Sequence, residues 1–314
     1  MFGRLLRILS PGGQRAAHQV LFFHRVLPQP DPLLPGDPDR AAFDALLGTL
    51  KRHCNILPLD QALAQMASGG LPRASLSISF DDGYADNASV ALPVLQAHDL
   101  SATFFVTTGY LDGGRMWNDT VIEALRRLPA GTLDLSGLGL GNYSLSERVA
   151  ERTGVIAELL RRIKHSPQRQ QLADAIGARA GELPKDLMMS RAMVRSLADA
   201  GMGIGAHTLT HPILANLNDD QARLEMAGSK AELETLLQRP VTLFAYPNGK
   251  QGQDYDARHA QLAREVGFQA AFSTEPGVSR RGMDLWQLPR FTPWDKDHGR
   301  FLLRLLMNRY GLVR

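Results

Sequence analysis

A chain of 314 residues that is 44% hydrophobic, 21% charged and 7% aromatic has the make-up of an ordinary folded protein, which excludes disorder, collagen-like repeats and disulfide scaffolds. Its 35 Lys and Arg against 32 Asp and Glu leave a formal charge of +3, too weak a bias for a nucleic-acid groove, so no nucleic-acid partner is expected. The single cysteine, Cys54, forbids an intramolecular disulfide.

The first fifteen residues carry three arginines and no acid. Their apolar run is too short for a secretory signal, and no run approaches the roughly 20 residues of a membrane span, so a cytoplasmic location is expected. A strand is then predicted at 20–24 (VLFFH), followed by helices at about 41–53 and 59–68. Next come a strand at 76–80 (LSISF), a helix at about 88–98 and a strand at 102–106 (ATFFV). The interval 113–190 breaks the rhythm: a Gly-rich stretch precedes long helical patterning, which reads as a helical insertion. The alternation resumes with a helix at 190–200 and a strand at 203–206 (GIGA). A helix capped by Asn218 ends near Pro240, with Leu224, Ala227 and Ala231 on one face. The series closes with a strand at 243–246 (LFAY), a helix at about 256–266 and a strand at 270–273 (AAFS).

Short apolar strands alternating with helices imply a parallel α/β fold. The chain divides into a basic N-terminal segment (1–18), one domain (19–295) with the insertion, and a basic amphipathic C-terminal helix (296–314). In that helix Arg300, Arg304 and Asn308 share one face, and Phe301, Leu302, Leu305 and Leu306 form a broad apolar flank. Docking on the domain accounts for the flank; contact with anionic lipid is the alternative, and the two basic termini are where any peripheral membrane contact is expected.

Asp81 and Asp82 stand together at the end of the 76–80 strand, where parallel α/β folds build their sites. Two neighbouring carboxylates in a partly buried pocket need a cation or a shared proton. His207 and His211, spaced H-x-x-x-H after the 203–206 strand, can face one point, and two histidines with a carboxylate form an open divalent-metal set. In LFAYPNGK, the turn Pro247-Asn248-Gly249 can aim backbone N–H groups at an oxyanion.

These three motifs, in this order, resemble the polysaccharide deacetylases of the NodB-homology type, carbohydrate esterase family 4, over residues 20–294. The family's T-F-D-D-G motif corresponds to Ser79-Phe80-Asp81-Asp82-Gly83, and its H-[ST]-x-x-H motif to His207 through His211. The resemblance implies a distorted, incomplete (β/α) barrel, Asp81 as general base, and Asp82, His207 and His211 as ligands of a divalent metal, most simply Zn2+, with Co2+ or Ni2+ as alternatives. It also implies removal of N-acetyl groups from an N-acetylated oligo- or polysaccharide or a lipid-linked sugar, as in exopolysaccharide or glycoconjugate assembly.

The departures are specific. Ala245 stands where many members have an arginine oriented toward the base, so arginine tuning of Asp81 is expected to be absent. Asn248 follows the motif proline where an aromatic residue is common, and its backbone N–H is the expected oxyanion donor. No terminal Leu-x-His motif supplies a general acid; His298 is a poor substitute, and His24, at the end of the first strand, is better placed. Tyr84, Trp117, Tyr246, Pro247 and Trp294 are the candidate sugar contacts, joined more weakly by Arg25 and Arg290, and Asp284 is a candidate for a fourth motif. Two alternatives stay open: hydrolysis of a non-sugar amide such as a cyclic imide or ureide, and a non-catalytic carbohydrate-binding relative.

Overall fold

The computed structural model describes residues 2–313. In chain order the elements are α1 (Phe2–Leu9), β1 (Gln19–Phe23), α2 (Arg40–His53), β2 (Asn55–Ile56), α3 (Leu59–Ser68), β3 (Ser75–Phe80), α4 (Leu92–Ala97) and β4 (Thr103–Val106). The insertion follows as α5 (Trp117–Arg127), β5 (Gly131–Leu135), β6 (Gly141–Leu145), α6 (Thr153–Ile163) and α7 (Arg169–Gly177). The main domain resumes with α8 (Arg191–Asp199), β7 (Gly203–Ala206), α9 (Asp219–Leu237), β8 (Leu243–Ala245), α10 (Ala257–Val266) and β9 (Ala270–Phe272), and α11 (His298–Arg309) ends it.

Parallel strands curl in the order β1-β3-β4-β7-β8-β9, with β2 beside the start of β3. Apart from the short β2, the strands are largely buried on both faces, which is why these runs read as continuous rather than alternating hydrophobes. On β3 the two faces differ: Leu76, Ile78 and Phe80 join the main core, while Ser77 and Ser79 hydrogen-bond to His18 and to the carbonyl of Leu21. Val20, Phe105, Leu243, Ala245, Phe272 and Leu288 form a separate cluster. The strands pack closely at Gly205, where a Cβ would sit 2.4 Å from the Phe105 ring.

The sheet is an incomplete barrel, open between β9 and β1, and an irregular segment spans that seam. Leu288 N–H donates to the Ala271 carbonyl and Ser273 N–H to the Leu288 carbonyl, while Phe291 N–H reaches Val20 and Phe22 N–H reaches Thr292 Oγ1. The segment thereby satisfies exposed strand edges that would otherwise remain unpaired. It also carries Arg290 inward.

Two local expectations are corrected. The insertion is not wholly helical, because β5 and β6 pair as an antiparallel hairpin. Gly139 and Gly141 take positive φ at its turn, and Leu133, Leu135 and Leu145 bury into the insertion's own hydrophobic cluster. On α9 the buried stripe is Ala222, Met226, Ser229, Leu233 and Leu236, and Leu224 faces solvent. Small residues on both sides of this helix leave its inner face ambiguous in the sequence.

The flank Phe301, Leu302 and Leu305 of α11 is buried in the main core, so this helix is docked on the domain. No helix among the described residues is long and apolar enough to cross a membrane.

Candidate active site

Three turns at the C-terminal ends of β3, β7 and β8 build the site. After β3, Asp81 N–H donates to the Phe23 carbonyl, and the chain then turns sharply through Asp82 (φ 75°) and Gly83 (φ 93°). After β7, Thr208 (φ 69°) and His211 (φ 53°) are left-handed, as is Asn248 (φ 60°) after β8. Half of the eight non-glycine residues with positive φ among the described residues therefore lie in these turns. Such backbone is costly and persists where its surroundings hold it.

The surroundings of the histidine turn are specific. Glu225, on α9, accepts from the backbone N–H groups of Leu209 and Thr210 at 2.9 and 2.8 Å and from Thr210 Oγ1 at 2.6 Å. Arg169, on α7, donates to the His211 carbonyl at 3.1 Å, which ties the insertion to the same loop. Neither residue carries a motif, and nothing in the sequence marks them.

Asp82 Oδ1 lies 3.4 Å from His207 Nε2 and 3.3 Å from His211 Nε2. Ligand atoms about 2.0–2.1 Å from a tetrahedral zinc are separated by about 3.3–3.4 Å, so these spacings suit a shared cation. Asp82 Oδ1 and His211 Nδ1 are buried without a hydrogen-bond partner. His207 Nδ1–H donates to the Ala245 carbonyl at 2.8 Å, which fixes the tautomer and turns the Nε2 lone pair toward Asp82. Burial pushes the His211 pKa down to about 3, keeping the imidazole neutral as a metal ligand must be. Burial also opposes charge on His207, but the adjacent Asp82 and Asp81 outweigh it and raise its pKa. The residues present fit a divalent metal with positions left for small ligands.

Asp81, in the same cavity wall, has a different partner. Arg290 Nη1 and Nη2 each donate to one of its oxygens at 2.7 Å, with both side chains almost wholly buried. Arg290 also donates to the Ser273 carbonyl and Ser79 Oγ, and it lies over the Phe22 and Phe105 rings at 5.0 and 5.4 Å. Burial would raise the Asp81 pKa, but the guanidinium more than compensates and holds it below the usual carboxylate range. The expected absence of arginine tuning is thus corrected. Ala245 is indeed no substitute, but Arg290 arrives by the seam segment and is committed to Asp81, not free for substrate.

A cavity of about 530 Å³ brings together Asp81, Asp82, His207, His211, His24, Tyr84, Trp117 and Asn248. Tyr84 donates to Asp119 Oδ1 at 3.2 Å, and Arg25, paired with Asp86 at 2.7 Å, lies over the Tyr84 ring. Burial, reinforced by the nearby Asp82, raises the Asp119 pKa to about 7. Asn248 N–H makes no hydrogen bond among the described residues, while its carbonyl accepts from Thr274.

Other candidates lie outside this cavity. Tyr246 is fully buried, stacked on Tyr255 at 3.8 Å and hydrogen-bonded to the Trp286 carbonyl, and Pro247 is buried beside it. These two are structural rather than sugar contacts. Asp284 caps the short turn at Leu285–Gln287, away from the site. Trp294, 49% exposed, lines a second cavity of about 540 Å³ that shares Leu34 and Asp37 with the first. His298 lines only that second cavity, bonded to Thr49 Oγ1.

The profile of the family described as polysaccharide deacetylase matches residues 68–271. The Bacillus subtilis (strain 168) protein YxkH, whose name assigns it to the polysaccharide deacetylases, is 23% identical over 213 residues. That alignment covers 68% of this chain and 49% of the relative, so the matched part spans about half of the relative's length. Among solved structures, the Streptococcus pyogenes deacetylase PplD in complex with acetate superposes with a TM-score of 0.61 at 18% identity, covering 92% of this chain and 97% of its own. IcaB from Ammonifex degensii gives 0.60 at 19% identity, with 93% and 99% covered. At these identities the likeness is one of fold.

Proposed function

The chain belongs to the polysaccharide deacetylase family, hydrolases of carbon-nitrogen bonds, and on that premise we propose that it removes N-acetyl groups from an N-acetylated glycan with Asp81 as general base. The observation that carries this reading is the juxtaposition, in one cavity, of the Asp82, His207 and His211 ligand set with a second carboxylate fixed by Arg290. A divalent cation held by that set, Zn2+ or else Co2+ or Ni2+, would supply Lewis-acid polarisation and acidify a water.

The chain's own residues do the rest. Asp81 accepts a proton from the attacking water, and each of its oxygens keeps a lone pair beyond the one engaged by Arg290. The Asn248 backbone N–H donates to the oxygen that gains charge as the water adds to the acetamide carbonyl. The carbon-nitrogen bond then breaks, and His24, half-buried in the cavity wall, is the proton donor to the leaving amine. Acetate and a free amine result.

The second cavity, which shares Leu34 and Asp37 with the first and is lined by the half-exposed Trp294, favours a substrate longer than one sugar. Tyr84 and Trp117 are the contacts proposed for the sugar that bears the acetamide. The Arg290 pair also removes one ground for a non-catalytic relative, an untuned Asp81, and leaves the other, the missing terminal histidine.

The test is acetate release from N-acetylglucosamine oligomers by protein stripped and reloaded with zinc, cobalt or nickel, beside Asp81→Asn and His207→Ala. Metal-dependent release lost in both variants is expected. Release from ring amides alone, with none from the oligomers, would replace the glycan by a cyclic imide or ureide.

A further inference from the structure

Eight large hydrophobic side chains are exposed among the described residues, and six of them, Ile8, Leu9, Met283, Leu285, Tyr310 and Leu312, lie on three segments that meet. Tyr310 Oη–H donates to the Leu9 carbonyl at 2.8 Å, Arg281 to Gln14 Oε1 at 2.7 Å, and Arg280 to the Arg309 carbonyl at 3.2 Å. Exposed Arg4, Arg7, Arg15, Arg280 and Arg281 surround these residues, and Asp284 is the sole acid on residues 2–15, 280–285 and 300–313.

The location of this surface is fixed by hydrogen bonds to the beginnings of the barrel strands. Ala74 N–H, just before β3, donates to the Ser10 carbonyl, and His18, just before β1, exchanges backbone hydrogen bonds with Ser279. The catalytic cavity lies at the opposite ends of the same strands. The six residues of β3 put about 20 Å between the two faces.

Apolar side chains amid unopposed arginines match a surface that is apolar inside and anionic outside. We propose that this face is a peripheral docking surface for an anionic lipid bilayer, and that it holds the catalytic cavity turned away from the membrane. A surface with five exposed arginines and one acid favours the lipid headgroup layer over an apolar protein groove, because each arginine gains from the negative surface potential. The docked flank of α11 takes no part, since its apolar residues are used by the core. With the cavity on the far side, the acetamide it receives belongs to a glycan reaching away from the bilayer, not to a sugar next to a lipid. This last consequence rests on the deacetylase reading; the docking surface does not.

The test is flotation of the full chain with vesicles of phosphatidylcholine, with and without phosphatidylglycerol, at low and high salt. Binding to the anionic vesicles alone, reversed by salt, is expected. It should weaken by about tenfold or more in Arg4→Glu/Arg7→Glu and in Ile8→Glu/Leu312→Glu, with thermal unfolding unchanged because these side chains are exposed. A bimane fluorophore at Leu312→Cys should be quenched by nitroxide lipid, and one at Lys164→Cys on the cavity rim should not, both in a Cys54→Ala background. Absent binding, binding indifferent to these four residues, or quenching at position 164 rather than 312 would each overturn the proposal. None of these readouts involves acetate release.

Discussion

Arg290 grips both carboxylate oxygens of Asp81, 209 residues away in the chain, at 2.7 Å each. The two side chains enter from different directions, one from the end of a central strand and the other from the segment that spans the seam between β9 and β1. Their geometry makes the seam part of the active site rather than a connection around it.

Arg290→Met is expected to lower kcat by about 10²-fold, since a misplaced base costs that much. It should also destabilise the fold by about 3–5 kcal/mol, because Asp81 is left as an unpaired buried charge. Arg290→Lys retains a charge without the two-pronged geometry and should recover only part of the activity. The sign of the pH effect follows from the pair. Asp81 titrates below its unfolded value, so its stabilisation is present above about pH 4 and disappears as pH falls through the folded pKa. Without Arg290 the acidic limb of the rate profile should move to higher pH; an unmoved limb in Arg290→Lys and Arg290→Met alike would show that the arginine only packs the seam.

Asp119 supplies the opposite case. Its pKa, raised to about 7 by burial first and by Asp82 second, means that the folded protein holds a proton the unfolded chain releases near pH 4. The contribution of Asp119 to stability should therefore fall as pH rises from about 4 to about 7, by up to one proton or about 1.4 kcal/mol per pH unit, while the buried His18 and His211, each with a pKa lowered to about 3, act in the opposite direction. Asn resembles the protonated form and keeps an acceptor for the Tyr84 hydroxyl, so Asp119→Asn should remove this contribution, and the stability of the variant relative to wild type should rise between pH 5 and pH 8. Denaturant melts of both proteins at pH 5 and pH 8 measure it.

The two histidines at the cavity mouths should separate cleanly. His24→Gln is expected to cost roughly 10²–10⁴-fold in kcat, the usual range for losing a proton-transfer group, with KM little changed. His298→Gln loses a hydrogen bond to Thr49 and should cost about 1 kcal/mol of stability at most, with kcat intact. Steady-state kinetics of the pair decide the assignment, and equal activities would send the search for the general acid elsewhere in the cavity.

The features legible in the amino-acid order are local in physical origin. Strand and helix periodicity shows in a short window because it records which side of each element is buried, and the predicted strands and most helices lie within a few residues of those observed. The carboxylate pair and the H-x-x-x-H turn are legible for the same reason: each ligand set is delivered by one or two tight turns whose spacing is written in neighbouring residues.

Whatever depends on distant segments meeting was left to the packing of the whole chain. Residue identity alone establishes that Ala245 cannot tune Asp81, but not that Arg290 crosses the seam to do so. Tyr246 has the composition of a sugar contact, and only packing against Tyr255 turns its ring into the core. The apolar flank of α11 and the apolar residues near both termini look alike in the chain. Folding buries the first in the core and leaves Ile8, Leu9, Tyr310 and Leu312 together on the face opposite the catalytic cavity, because burial is set by which surfaces remain once the strands and helices have packed.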